Sequence, residues 1–194
     1  MRFGSALAFA TGITGVLVAQ VAGAHPIAHH AGGFAAGFAH PFLGLDHVLA
    51  MIAVGVWAAQ CGGRARVALP ASFVAAIAAG GALAMSGAAL PYIEAGIAAT
   101  VLALGLLIAL AVRMPVFAGA ALAAMFALWH GYAHGGALPT TASPIAHAAG
   151  FVLASAMLVA VGVFSGRWTI ARPRVARILG VSVAAAGFAI LAGA

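Results

Sequence analysis

The chain has 194 residues, 65% of them hydrophobic and 5% charged, with a mean hydropathy of +1.19. Its charged side chains are eight Arg, Asp46 and Glu94, too few to coat a soluble domain, in which about a quarter of residues are charged; the apolar content also excludes a disordered chain. The net charge of +6 does not mark a nucleic-acid binder, because the basic residues fall in the gaps between apolar runs and do not cluster with aromatics.

Met1-Arg2, the apolar stretch 6–22 and the small-x-small triplet Ala22-Gly23-Ala24 read as a secretory signal peptide cut after Ala24. Residues 25–194 then form one membrane domain with His25 at its start. Apolar segments follow at about 33–60, 67–88, 92–112, 115–135, 145–165 and 174–192, each near the ~20 residues that cross a bilayer core. They are separated by Gly, Pro and Arg punctuation. With the mature N-terminus outside, all seven mature Arg (Arg64, Arg66, Arg113, Arg167, Arg172, Arg174, Arg177) fall on the cytoplasmic side. The expected fold is therefore all-α: a polytopic inner-membrane protein with six transmembrane helices after a cleavable signal peptide. Gly33/Gly37, Gly131/Gly135 and Gly162/Gly166 are GxxxG pairs that let helix backbones approach closely. Cys61 is the single cysteine, which leaves no intrachain disulfide and no CxxC motif.

Ionisable groups inside a membrane are costly and ask for a reason. Nearly all lie in two segments, His40-Pro41-Phe42-Leu43-Gly44-Leu45-Asp46-His47 with Met51 beyond it, and His130-Gly131-Tyr132-Ala133-His134-Gly135; His147 opens the fifth span. On a continuous helix His40, His47 and Met51 share one face, while Asp46 points about 100° away, toward another neighbour or the ring of a His on another helix. Pro41 is expected to kink or interrupt this span. His130 and His134, spaced i, i+4, present two imidazoles on one face. The assigned orientation puts these groups on a path from the outer face toward the midplane, with His25, His29 and His30 upstream. Imidazole suits Ni, Co, Cu and Zn, a carboxylate neutralises charge, and a thioether adds softness. A lone membrane His can instead just hydrogen-bond a neighbouring helix, and for His147 that alternative stands level with metal binding. Tyr92 and Trp168 are expected as interface anchors, and Cys61 as a space-filler.

The segment HPFLGLDHVLAMIAVGVWA resembles the signature of the HupE/UreJ family of nickel permeases. His40, Pro41, Gly44, Asp46, His47, Ala50 and Met51 match its first-span motif, and His130, Gly131, Ala133, His134 and Gly135 its fourth-span motif. Gly150-Phe151-Val152-Leu153-Ala154 is similar to its fifth-span segment. Two positions depart from the family pattern: Gly136-Ala137 stands where members carry a Glu, and Val159 lies near the place of a late His. The resemblance implies six spans, a cleaved signal peptide, and passage of Ni²⁺ or Co²⁺ for hydrogenase or urease maturation proteins. It implies a substrate path through His40, Asp46, His47, His130 and His134, with His25 contributing capture.

The expected activity is import of a divalent cation as substrate, without a resident cofactor and without enzyme chemistry. There is no GxxxxGK[ST] segment for nucleotide hydrolysis. Neutral His binds metal and protonated His does not, so transport should fall below about pH 6. A homo-oligomer is compatible with the sequence. The rival readings are an intramembrane zinc hydrolase with Asp46 as base, a haem b protein with axial His, and a metal-binding accessory subunit that does not transport.

Overall fold

The computed structural model describes residues 33–135 and 143–193. The expected signal peptide, His25, His29 and His30 lie outside the described residues. Those residues are all-helical, with no strand among them. α1 is Phe34–Ala39, followed by a 3-10 turn at His40–Phe42; then come α2 (Leu45–Cys61), α3 (Ala65–Met85), α4 (Ile93–Ala109), α5 (Val116–Gly135), α6 (Pro144–Ile170) and α7 (Pro173–Gly193).

The ends follow local chemistry. Gly62, at φ 76°, closes α2 in a conformation that costs other residues more. Ser143 caps α6, its Oγ accepting from the Ala146 N–H at 3.4 Å, with Pro144 at the first turn, where a missing N–H costs nothing. The expected boundaries hold closely except at α6. That helix runs on through Gly166 and Arg167 to Ile170, 27 residues in all, because one glycine is insufficient to stop a helix whose neighbours favour it.

The first expected span is not one straight helix. Phe34–Phe42 and Leu45–Cys61 meet at 81°. Pro41 sits in the 3-10 turn, and Gly44 is extended at φ −107° and ψ 117° just before α2. His40 and His47 therefore do not share a helical face. The expectation from continuous helical geometry fails because the helical repeat is interrupted between them.

Four helices, α3, α5, α6 and α7, are long and apolar enough to cross a membrane, and the bent pair makes up to five. α4 is apolar but has 17 residues, about 26 Å at 1.5 Å per residue against a core of about 30 Å.

The helices pair as α3 with α5, α4 with α7, α2 with α6, and α1 with α6. Each pair meets at reciprocal glycines. A methyl on Gly131 would overlap the Ile77 carbonyl and one on Gly80 the Leu128 carbonyl. Gly105 and Gly180 lie against the backbone of Ala184 and Ala109, Gly55 and Gly162 against the carbonyls of Val159 and Ile52, and Gly37 and Gly150 against those of His147 and Phe34. Gly131/Gly135 and Gly162/Gly166 thus sit at crossings, as expected. In the third pair only Gly37 does, while Gly33 faces open space. The core between the helices is filled by Trp57, Phe73, Met51, Leu69, Leu104 and Ile108. At the Arg-rich end, the Trp57 Nε1–H donates to the Val112 carbonyl at 2.9 Å, just beyond α4, and Gln60 Nε2 to the Ile108 carbonyl at 3.3 Å, which also accepts from the Ala111 N–H.

Gly162→Ala should lower stability by about 1–3 kcal/mol through forced separation of α2 and α6. Gly193→Ala, whose methyl meets nothing within 4 Å, should change it by less than about 0.5 kcal/mol. Thermal unfolding of the detergent-solubilised protein measures both.

Candidate metal-binding site

Four elements bring their histidines together. The 3-10 turn supplies His40, the first turn of α2 supplies Asp46 and His47, the last turns of α5 supply His130 and His134, and the first turn of α6 supplies His147. His134 is the hub: its ring centroid lies 4.4 Å from that of His40 and 4.3 Å from that of His47. His47 and His130 are 4.8 Å apart, and His40 and His147 5.8 Å. His40 and His47 converge on His134 from the two arms of the bend. The i, i+4 spacing of His130 and His134 does what it should, since both rings of one helix face the ring of His47.

Asp46 binds its own neighbour, not another helix as expected. One oxygen, Oδ1, accepts from both the backbone N–H and the ring Nδ1–H of His47, each at 2.9 Å. The reason is local. Asp46 opens α2, where the first N–H groups have no helical partner, so the carboxylate turns back on its own chain. Gly44 leaves the room: a Cβ there would lie 2.7 Å from Asp46 Oδ1 and 3.0 Å from His47 Nδ1.

These bonds fix which ring nitrogens carry hydrogen. A carboxylate only accepts, so His47 Nδ1 is the donor and Nε2 keeps its lone pair. On α4, the Thr100 hydroxyl donates to the Ile97 carbonyl at 2.7 Å and lies 2.7 Å from His130 Nε2. Its hydrogen is committed, so it accepts from His130 Nε2–H and leaves the lone pair on Nδ1. Both of those lone-pair nitrogens, His47 Nε2 and His130 Nδ1, are buried and without a hydrogen-bond partner, as are His134 Nε2 and His147 Nδ1. Four orphaned imidazole nitrogens in one cluster make a costly arrangement that a metal ion would satisfy. Among the described residues no three His, Cys, Asp or Glu side chains are already set to hold an ion. The rings meet largely edge to face, and coordination requires them to turn.

Met51 is wholly buried in the apolar core a turn beyond His47; His25 lies outside the described residues. Two residues at the cluster went unpicked in the sequence. Thr100 carried a readable signal, the only hydroxyl in the apolar helix α4. Phe151, whose ring centroid is 4.3 Å from that of His134, stood in the segment similar to the family's fifth span, but nothing in that segment marked it as a neighbour of the histidines.

Apolar helices stacked around a buried histidine cluster define a multi-pass membrane protein. The chain belongs to the HupE/UreJ family: residues 13–190 match the family described as HupE / UreJ protein. It is similar to Protein HupE of Rhizobium leguminosarum bv. viciae, 43% identical over 185 residues, which covers 94% of this chain and 96% of that one. No solved structure matches.

Thr100→Val keeps the shape but strands the His130 Nε2–H, and should cost about 1–3 kcal/mol of stability, read from the same thermal unfolding. Gly44→Ala should displace the Asp46 carboxylate, and the amide exchange of His47 N–H should rise accordingly.

Proposed function

We propose that this protein is a secondary importer that carries Ni²⁺, or Co²⁺, from outside the inner membrane to the cytosol for hydrogenase or urease maturation. The observation that carries the reading is the set of four buried ring nitrogens without partners beside the Asp46 carboxylate. Borderline divalent ions favour imidazole, whereas Mg²⁺ and Ca²⁺ favour oxygen. Family membership and the similarity to Protein HupE support the same reading.

In this proposal the bent pair is the first of six spans and α4 the sixth needed to complete them, its short length met by local thinning of the bilayer. The signal peptide is cut after Ala24 and the new N-terminus, with His25, lies outside. The ion gives up water to His40 and His147, moves to His134, and passes to His47 and His130. Asp46 offsets its charge and holds His47 in the tautomer that offers Nε2. A site whose rings must turn to coordinate suits passage, because an ion held too well does not leave. The chain has no nucleotide motif, so the driving force is the ion gradient, the membrane potential or trapping inside the cell.

Elemental mass spectrometry of a host lacking its own nickel importers tests this. The native chain should raise cell Ni or Co several-fold at equal membrane abundance. His47→Ala and Asp46→Asn should abolish at least about nine-tenths of that rise, and Met51→Leu, which conserves volume, should retain it. No rise with correctly inserted native chain refutes import.

A further inference from the structure

At the opposite end of the bundle from the histidines lies a cavity of about 360 Å³, a size within the range of ligand pockets. The ends of α2, α4 and α6, the α4–α5 loop and the start of α7 border it, and it opens to the surface at its exposed arginines. Arg113, Arg174 and Arg177 line it together with Gln60 and Thr169. The sequence offers these guanidinium groups almost nothing to pair with. The chain has two acids; Asp46 is engaged with His47, and Glu94 opens α4 at its other end. Arg172 is different, since its guanidinium stacks on Trp168 at 3.9 Å and donates to the Trp168 carbonyl.

Three further features bear on what the cavity takes. The carbonyls at this end are already bonded, that of Ile108 by Gln60 and that of Val112 by Trp57, so they do not compete strongly for the arginines. Gln60 is 8% exposed, and its Oε1 is buried without a partner. The amide nitrogen is spent on Ile108, which leaves an unpartnered buried acceptor on a residue that lines the cavity, and such an acceptor wants a hydroxyl or ammonium donor. The Arg distribution puts this end on the cytoplasmic side, where the lipid surface is anionic.

We propose that this cavity binds a phosphate ester carrying a hydroxyl group, with the phosphate held by Arg113, Arg174 and Arg177 and the hydroxyl donating to Gln60 Oε1. The fork of a guanidinium matches phosphate oxygens bidentately. The chemistry is that of a phosphatidylglycerol headgroup, and also that of soluble glycerol phosphate. The site is separate from the histidine cluster and does not depend on what passes through it.

Native mass spectrometry of the full chain in mild detergent tests this, with phosphatidylglycerol, phosphatidylcholine or free glycerol phosphate added. A phosphatidylglycerol adduct at least about tenfold stronger than the phosphatidylcholine one is expected. It should be lost in the Arg174→Gln/Arg177→Gln double variant and kept in the Arg64→Gln/Arg66→Gln double variant, which removes the same two charges outside the cavity. If the double variant does not fold, Arg113→Gln, in a loop, should weaken the same adduct. Retention of glycerol phosphate alone, lost in the same variants, makes the soluble ester the ligand. Equal adducts with both lipids and none with glycerol phosphate, or equal loss in Arg64→Gln/Arg66→Gln, overturns the site.

Discussion

Lipid tails are as apolar as leucine, so helices in a bilayer gain little by hiding apolar side chains from them. What holds this bundle together is close van der Waals contact between backbones, and glycine permits that contact. The four principal interfaces each rest on two reciprocal glycines, each lying against the partner's main chain. The consequence reaches the histidines directly. Gly37 against the His147 carbonyl and Gly150 against the Phe34 carbonyl set α1 on the first turns of α6. That crossing is what carries His40 to within 4.4 Å of His134. A wider spacing, as alanine or leucine would impose, would leave the first span's histidine out of reach of the others.

Against this economical packing stands an expensive polar centre. Buried polar groups without partners cost free energy, and here they gather where the helices are closest. Asp46 and Thr100 limit the cost by satisfying one nitrogen each of His47 and His130. The same bonds leave the other nitrogen of each ring as an acceptor. Second-partner hydrogen bonds of this kind orient imidazoles toward metal in other settings. The cluster is thus organised by hydrogen bonds on its far sides and left unsatisfied on its inner side.

The two ends of the molecule carry opposite chemistry. Imidazoles and the Asp46 carboxylate occupy one end, and guanidinium groups the other. The Arg-rich end is locked by the bonds of Gln60 to Ile108 of α4 and of Trp57 to Val112 just beyond it, so the last turn of α2 is anchored while its first turn, beside the 81° bend, carries Asp46 and His47. A helix pinned at one end and broken at the other is suited to small rotations of the groups at the broken end.

Much of this was legible in the residues. Gly, Pro and Arg punctuation placed the helix ends within a few residues, because stop and start signals act within a turn of where they stand. The spacing of His130 and His134 defined one face of one helix. Proline and glycine between His40 and His47 announced an interruption, yet the sequence did not give its angle, and the assumption of one continuous helix misplaced His40. The partner of Asp46 was also misjudged, as the free amides of a new helix start at that point captured the carboxylate. Thr100 and Phe151 joined the cluster through the rotation and crossing of α4 and α6. Such contacts join residues far apart in the chain: Thr100 and His130 are 30 positions apart. Local chemistry wrote the helices and their chemical cargo into the sequence. Which ring nitrogens meet, and which are left bare, was settled by how closely and at what rotation the glycine-faced helices pack.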